Sequence, residues 1–246
     1  MMLTGNLATR SPRWTSDEPS VLTLGRTCAV AEHFRALVER HVQRDMTLEV
    51  DSYTSSSNNN ERSGPYRAIF IVIDGSQALE DSLALIERLR TENVKPIICA
   101  VITGRGSFNK IKYYLAGADF CIKLNALSED GSELLAEFFN SEEWQRDTNL
   151  LLDPTRICLL DASKKLDISF VEMKILEAFA QTGNHILSHD QIASIMGLNT
   201  NFYDPRALEK SISRLRGKIK DMYGTNAIQS IRGYGYRLMR GLISTI

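Results

Sequence analysis

The sequence predicts two domains of different class: a doubly wound α/β domain with a five-stranded parallel sheet, then a smaller α+β domain. Strand-like and helix-like segments alternate five times before about residue 140, the order that builds a parallel sheet covered by helices. Two of these strands, Ala68–Ile73 and Ile97–Ile102, are near-continuous apolar runs, as expected for strands buried on both faces. After about residue 156 the pattern changes to three helices followed by a hairpin signal.

The elements of the first domain follow from hydrophobic periodicity. The predicted strands are Val21–Leu24, Thr47–Val50, Ala68–Ile73, Ile97–Ile102 and Phe120–Lys123, and the helices are Ala29–Gln43, Asp81–Arg90, Phe108–Leu115 and Gly131–Phe139. Residues 1–20, with two prolines among Ser and Thr, are expected to be flexible. Residues 54–65 read TSSSNNNERSGP, and no apolar side chain there could pin a helix to the sheet. We expect a mobile loop or a short turn in that segment.

The second domain has clear start and stop signals. Its predicted strands are 157–160, 166–168, 228–232 and 236–239, and its helices are Phe170–Gln181, Ser188–Met196 and Pro205 to about Lys220. Ser188 with Gln191 forms a capping-box pattern, and Pro205 suits a first helical turn. Three helices closed by a hairpin are typical of a winged helix-turn-helix. We therefore predict a domain over 21–140, a linker over 141–149 and a winged-helix domain over 150–241.

Composition narrows the class of protein. The net charge of −1 hides an asymmetry, because residues 1–144 carry 15 basic and 20 acidic side chains whereas residues 145–246 carry 14 and 10. The longest apolar runs have six residues, against roughly 20 for a membrane span. Because no secretory signal is visible either, we expect a soluble cytoplasmic protein. Four widely spaced cysteines favour buried thiols over a disulfide or metal site. No catalytic constellation is present, so neither an enzyme nor a cofactor is expected.

The helix predicted from Pro205 to Lys220 carries the strongest functional signal. At 100° per residue, four apolar side chains fall within about 60° of one another and form a narrow core seam; they are Leu208, Ile212, Leu215 and Ile219. The opposite face collects Arg206, Lys210, Ser213, Arg214, Gly217 and Lys220. Cations and small residues opposite a buried seam suit a helix that reads the major groove of DNA. A merely solvated basic face is the alternative.

The run YDPRALEKSISRLRGKI followed by IQSIRGYGYRL closely resembles the DNA-binding domain of OmpR/PhoB-type response regulators. The upstream LDISFVEMKILEAFAQTGNHILSHDQI is similar to the same domain's first two helices. The resemblance implies that Lys210 and Arg214 contact bases and that Arg232 enters the minor groove. It also implies that Arg206, Ser211 and Arg216 hold phosphates. The loop LNTNFYDP, where such proteins are thought to touch RNA polymerase, is about three residues longer than usual in the family.

The first domain resembles the receiver domain of that family, with its chemistry altered. Asp74 falls at the phosphoacceptor position, but Gly25 and Arg26 replace the carboxylates that would hold Mg²⁺. The expected switch hydroxyl falls on Val101, with Thr103 two residues later. Lys123 is displaced by one residue. We therefore expect that Asp74 is not phosphorylated by the Mg²⁺ route, with Arg26 either paired to Asp74 or exposed.

The family dimerises through a receiver surface that here holds Lys110 and Lys112, then Asp119, then Glu133 and Glu137. Because the last helix has no basic residue, Asp119 cannot find its usual arginine there, but a homodimer is still expected. The predicted function is a sequence-specific DNA-binding transcription regulator that is independent of aspartyl phosphorylation. Its partners would be double-stranded DNA and RNA polymerase, without a membrane. The alternatives are a conventional regulator phosphorylated on Asp74 by a histidine kinase, or an adaptor that kept a winged helix without using it on DNA.

Overall fold

The structure is a computed structural model that describes residues 19–42, 46–53, 66–74, 79–92, 96–103, 109–124, 130–141, 144 and 149–245. The flexible lead predicted for residues 1–20 lies outside the described residues, except for the last two residues, with which the first strand begins. The loop predicted for residues 54–65 also lies outside them, as does most of the predicted linker. These three predictions therefore remain predictions.

The first domain is a doubly wound parallel sheet with strand order β2-β1-β3-β4-β5, which confirms the predicted class. Its strands are β1 (Pro19–Gly25), β2 (Thr47–Ser52), β3 (Ala68–Asp74), β4 (Ile97–Thr103) and β5 (Phe120–Leu124). Its helices are α1 (Cys28–Val38), α2 (Leu79–Glu92), α3 (Lys110–Ala116) and α4 (Asp130–Phe139). Helices α1 and α4 cover one face of the sheet, and α2 and α3 cover the other.

Strand β3 shows why a continuous apolar run is needed at the centre of this sheet. Alternate side chains point to opposite faces, so Phe70 and Val72 join one core cluster while Ile69 and Ile71 join the other. All four are at most 1% exposed. Helix α1 is shorter than predicted and ends at Val38. Val42, which lay inside the predicted helix, packs against the core from beyond its end.

The second domain places three helices against two small sheets. The helices are α5 (Phe170–Gln181), α6 (His189–Ile195) and α7 (Pro205–Tyr223). One sheet has the order β12-β6-β7-β8, formed by Ile243–Thr245, Leu150–Asp153, Cys158–Leu160 and Lys165–Asp167. The other has the order β10-β11-β9, formed by Ile228–Ile231, Gly235–Leu238 and Ile186–Ser188. The three helices and the hairpin of β10 and β11 confirm the predicted winged helix-turn-helix.

The short strands β6, β9 and β12 were not predicted from the sequence. Each has three or four residues, too few to show periodicity, and each is defined by the strand that it pairs with. Strand β12 pairs in parallel with β6, which takes the second domain beyond the expected limit at residue 241. The cysteines of β4, β5 and β7 are buried thiols, as predicted, whereas Cys28 is exposed. Within the described part of the chain, no helix has both the length and the apolar character of a membrane span.

Candidate nucleic-acid interface

Helix α7 is fixed at both ends by its own sequence. The Asp204 carboxylate accepts a hydrogen bond from the backbone nitrogen of Arg206 at 2.9 Å, and Pro205 occupies the first turn. Gly224 ends the helix in the left-handed region at φ 68°. The predicted seam of Leu208, Ile212, Leu215 and Ile219 is at most 1% exposed. Burial of this seam therefore determines which face of α7 remains in solvent.

The solvent face of α7 is basic. Arg206, Lys210 and Arg214 are exposed and follow one another at intervals of four residues. Like charges at this spacing destabilise a helix by about 0.2–0.5 kcal/mol per pair. An anionic ligand that lies along the helix removes this repulsion, which favours a polyanion as the partner. At Gly217 an added Cβ would have no neighbour within 4 Å, so this face is also open.

Two of the residues predicted to hold phosphates lie at the edge of the exposed face of α7. Ser211 and Arg216 are only partly exposed. A terminal nitrogen of Arg216, Nη2, donates to the hydroxyl of Ser230 on β10 at 3.3 Å. Arg216 thus joins α7 to the hairpin formed by β10 and β11.

The hairpin holds Arg232 in an exposed turn, two residues after Ser230, which contacts α7. Gly233 adopts φ 76°, a conformation that glycine reaches without steric cost. Gly235 is required for a different reason: a Cβ there would lie 2.1 Å from the carbonyl oxygen of Leu187 on β9. Strand β11 therefore approaches β9 closely. Arg232 is exposed in the turn between β10 and β11.

Two capping boxes position the helices that support α7. Ser188 and Gln191 form the predicted one at the start of α6, with distances of 2.7 and 3.1 Å. Sequence analysis missed the second, in which Ser169 and Glu172 open α5. The Glu172 carboxylate also accepts from the Lys218 ammonium at 2.7 Å, which ties α5 to α7. Burial opposes its ionisation, but the hydrogen bonds from Lys218 and Ser169 hold the pKa of Glu172 below its usual value.

At the receiver-like end of the chain, the predicted position of the switch hydroxyl is wrong. Val101 is fully buried within β4, beside Val72 of β3. Thr103, not Val101, is the register partner of Asp74 where the two strands end, and its hydroxyl donates to the carbonyl oxygen of Ile73 at 3.3 Å. The predicted position was two residues too early because the register of a parallel sheet is fixed by pairing between strands. The spacing of residues along one strand does not show this pairing.

The structure also places Gly25 and Lys123, the two other altered positions around Asp74. A Cβ at Gly25 would lie 2.9 Å from both the backbone nitrogen of Ala31 and the carbonyl oxygen of Thr27, so a carboxylate side chain does not fit there without backbone movement. The side chains of Leu124 and Val72 lie on the same face of the sheet. Asp74 comes two residues after Val72 in β3 and therefore lies on that face as well. Because neighbouring residues alternate, Lys123 lies on the opposite face of the sheet from Asp74.

The largest feature that sequence analysis missed joins the two domains. Asp119 was expected on an open dimer surface, but its side chain is 8% exposed and contacts Arg90 and Arg240. Arg240 belongs to the winged-helix domain. Its partner lies 121 residues away in sequence, so no local pattern could have indicated the pair.

Comparison with known proteins agrees with this architecture. Residues 163–238 match the family model described as transcriptional regulatory protein, C terminal. The chain is 21% identical over 215 residues to the virulence transcriptional regulatory protein PhoP of Salmonella typhi, covering 82% of this chain and 93% of that protein. It is 23% identical over 209 residues to the heme response regulator HssR of Staphylococcus epidermidis, covering 82% and 91%.

A search of solved structures finds the response regulator DrrB of Thermotoga maritima, described as an OmpR/PhoB homologue. Its TM-score is 0.36 at 15% identity, and the match covers 89% of this chain and 99% of that one. Residues 163–238 thus match a family of transcriptional regulatory proteins, in the part of the chain that folds as the winged-helix domain. Over 82% of its length the chain is similar to response regulators such as PhoP and HssR.

Proposed function

We propose that this chain is a cytoplasmic, sequence-specific regulator of transcription that binds double-stranded DNA through α7. The observation that carries the proposal is a solvent-exposed row of three cations backed by a fully buried seam. An α-helix fits the major groove of B-DNA, and its exposed side chains can reach base edges. The exposed Arg232 at the hairpin turn provides a second contact beside the first.

Each predicted residue receives a role in this arrangement. Lys210 and Arg214 are proposed to contact base edges and to select the sequence. Phosphate contacts are assigned to Arg206, Ser211 and Arg216. Of these, Arg216 also joins the helix to the hairpin of β10 and β11. Arg232 is proposed to enter the minor groove. This division predicts that removing side chains that read bases relaxes sequence preference, whereas removing those that hold phosphates weakens binding to all sequences.

The test is binding of the full chain to native promoter fragments, measured by fluorescence anisotropy. Lys210→Ala with Arg214→Ala should cost about 1–3 kcal/mol for each base that the helix no longer reads. Arg156→Ala with Lys165→Ala is the matched control, because it removes the same charge from strand-rich surface away from the exposed face of α7. Unchanged binding by the first pair would favour an adaptor whose winged helix is not used on DNA. Equal binding to every fragment would also contradict sequence-specific recognition.

We further propose that Asp74 is not phosphorylated with the help of Mg²⁺. Two observations support this: the crowding at Gly25, which leaves no room for a carboxylate, and the placement of Lys123 on the other face of the sheet. A cation such as Arg26, next to that glycine, would also repel a divalent metal ion. Control of the protein would then come from a partner, a ligand or its own abundance.

A conventional, phosphorylated regulator is the second candidate, and one observation favours it. The pairing of Asp74 with Thr103 puts a hydroxyl beside the phosphoacceptor position. Incubation with a small phosphodonor and Mg²⁺, followed by intact mass measurement, decides between the two. We expect no change in mass, whereas a gain of one phosphoryl group that Asp74→Ala abolishes would establish the conventional mechanism.

RNA polymerase is the proposed protein partner, through the loop between α6 and α7. Phe202 in this loop is 88% exposed, which makes its ring accessible to a partner protein. The neighbouring Tyr203 hydroxyl lies 3.3 Å from the Asp190 carboxylate and connects the loop to α6. Phe202→Ala should reduce promoter activation in a purified transcription assay while DNA affinity stays the same.

A further inference from the structure

His189 lies where α6 meets the hairpin of β10 and β11. Its backbone nitrogen donates to the carbonyl oxygen of Tyr234 at 3.1 Å, and Tyr234 lies in the hairpin turn two residues after Arg232. Its imidazole meets the ring of Tyr236 on β11 edge to face, with 5.5 Å between the ring centroids. Tyr236 is 6% exposed, whereas His189 is half-buried. The imidazole is therefore held against a buried ring while part of the residue remains in solvent.

The charged groups around these two rings come from α7 and the hairpin turn. Burial raises the pKa of Tyr236 and the charge of Glu209 raises it further, while Arg216 lowers it. The Tyr236 phenol therefore stays neutral in the pH range where histidine titrates. Glu209 and Arg216 carry opposite charges, and the exposed Arg232 adds one more positive charge in the turn. These groups together make the surroundings of the rings suitable for an anion.

The acidic residue next to His189 already has a partner within the chain. The Asp190 carboxylate accepts from the hydroxyl of Tyr203, in the loop that leads to α7, at 3.3 Å. Among the described residues, no side chain forms a hydrogen bond or an ion pair with the imidazole of His189. The ring nitrogens of His189 are thus available to a ligand from outside the described chain.

A phosphate is the ligand that this position would meet on DNA. In helix-turn-helix domains the second helix lies in the major groove, while the first crosses the backbone. Here α6 is the first helix and α7 the second, so the start of α6 meets the sugar–phosphate chain when α7 lies in the groove. A neutral imidazole donates one hydrogen bond, whereas an imidazolium donates two and carries a charge. Hydrogen bonds assisted by charge are roughly twice as strong as neutral ones.

We propose that His189 is a titratable phosphate contact, whose protonated imidazole binds the DNA backbone and makes the affinity for DNA rise as pH falls. The proposal rests on the proposed binding of DNA through α7, and it adds a group whose charge depends on pH. Histidine changes its charge between about pH 5 and pH 8. Because a phosphate stabilises the charged form, binding takes up a proton from solvent. The added affinity is present at low pH and is lost as pH rises.

The test compares DNA binding of the full chain at about pH 5.5 and about pH 8, on either side of the ordinary histidine range. Fluorescence anisotropy on a native promoter fragment at one ionic strength should show about three- to tenfold tighter binding at the lower pH, since a shift of one pH unit corresponds to tenfold in affinity. The log–log salt dependence should also be steeper there by up to about 0.9, because one more cation meets a phosphate. Burial lowers the pKa of His185 to about 4, so His185 stays neutral at both values.

Two variants and a matched control assign the effect to His189. His189→Gln keeps a side chain that forms hydrogen bonds but cannot be charged, and should remove both the pH dependence and the change in salt dependence. His189→Arg carries a permanent charge, and should bind at about pH 8 as tightly as the wild-type chain binds at about pH 5.5. His33→Gln removes an exposed histidine from α1 in the first domain and should behave as the wild-type chain does.

The possible outcomes separate this proposal from the proposed DNA binding. If the chain binds the promoter but His189→Gln keeps the wild-type pH dependence, the phosphate contact is overturned and DNA binding through α7 stands. The phosphate contact is equally overturned if His189→Gln weakens binding by the same factor at both pH values, because this result indicates a packing role against Tyr236. If no fragment is bound at either pH, both proposals are overturned. Circular dichroism at both pH values verifies that each variant is folded.

Discussion

A single methyl group added at Gly25 should destabilise the first domain, although glycine is usually the poorer residue for stability. The added Cβ would lie 2.9 Å from the backbone nitrogen of Ala31 and 2.9 Å from the carbonyl oxygen of Thr27. Both atoms belong to the backbone where β1 leads into α1, so neither can rotate away as a side chain would. The end of β1 or the start of α1 must therefore shift.

Overpacking of this kind costs about 1–3 kcal/mol. Gly217→Ala is the matched comparison, since it adds the same methyl group in the middle of α7, where nothing lies within 4 Å. Alanine is more favourable than glycine inside a helix by roughly 0.5–1 kcal/mol. The same chemical change is thus expected to lower the stability of one domain and to raise that of the other.

The assay is urea unfolding followed by tryptophan fluorescence. The chain has two tryptophans, and Trp144 is 4% exposed against Phe138 and Phe139 of the first domain. Trp14→Phe isolates this reporter, and circular dichroism follows the helices of both domains. With a urea slope of about 1–3 kcal/mol per molar, Gly25→Ala should move the midpoint down by the order of 1 M. An unchanged midpoint would show that this turn yields easily, and would refute the steric argument against a carboxylate at residue 25.

Three further outcomes follow from the structure. Burial and the charge of Arg240 lower the pKa of His185 from 6.5 to about 4, so the stabilisation that accompanies the neutral imidazole should be complete above pH 6.5 and lost as pH falls towards 4. His185→Asn should remove that part of the pH dependence of the thermal midpoint, measured by circular dichroism. Gly235→Ala should lower the thermal midpoint more than Gly25→Ala, because the added Cβ would lie 2.1 Å from a carbonyl oxygen. Arg206→Ala should reduce the salt dependence of DNA binding by about 0.9 in log–log slope, equally on all sequences.

Helix α7 was predictable from the sequence because everything that defines it is local. Asp204 and Pro205 start it, Gly224 ends it, and apolar side chains spaced three or four residues apart build its buried seam. The basic face follows by elimination, since side chains that are not in the seam face solvent. The fold class was predictable for a similar reason, because β3 and β4, in the interior of the sheet, are near-continuous apolar runs.

The position of Thr103 was not predictable, since it depends on how two parallel strands pair. A sequence shows where β4 begins but not which residue of β3 lies beside it, and a small error of register moves the hydroxyl away from Asp74. The three-residue strands β9 and β12 could not be predicted for the same reason. Their hydrogen-bond partners determine them, and those partners lie far away in sequence.

The pairing of Arg240 with Asp119 could not be predicted from the sequence either, because an isolated charged residue normally indicates a solvated surface. Both side chains are buried because the two domains pack together. The hydrophobic pattern of one domain does not show which residues of the other domain it will contact. The contact between Arg240 and Asp119 leaves Arg206, Lys210 and Arg214 exposed, so breaking it should not change how one copy reads DNA. Arg240→Ala should therefore leave the affinity for a single half-site unchanged. A titration on DNA with one half-site tests this, and a changed affinity would mean that the contact also positions the reading helix.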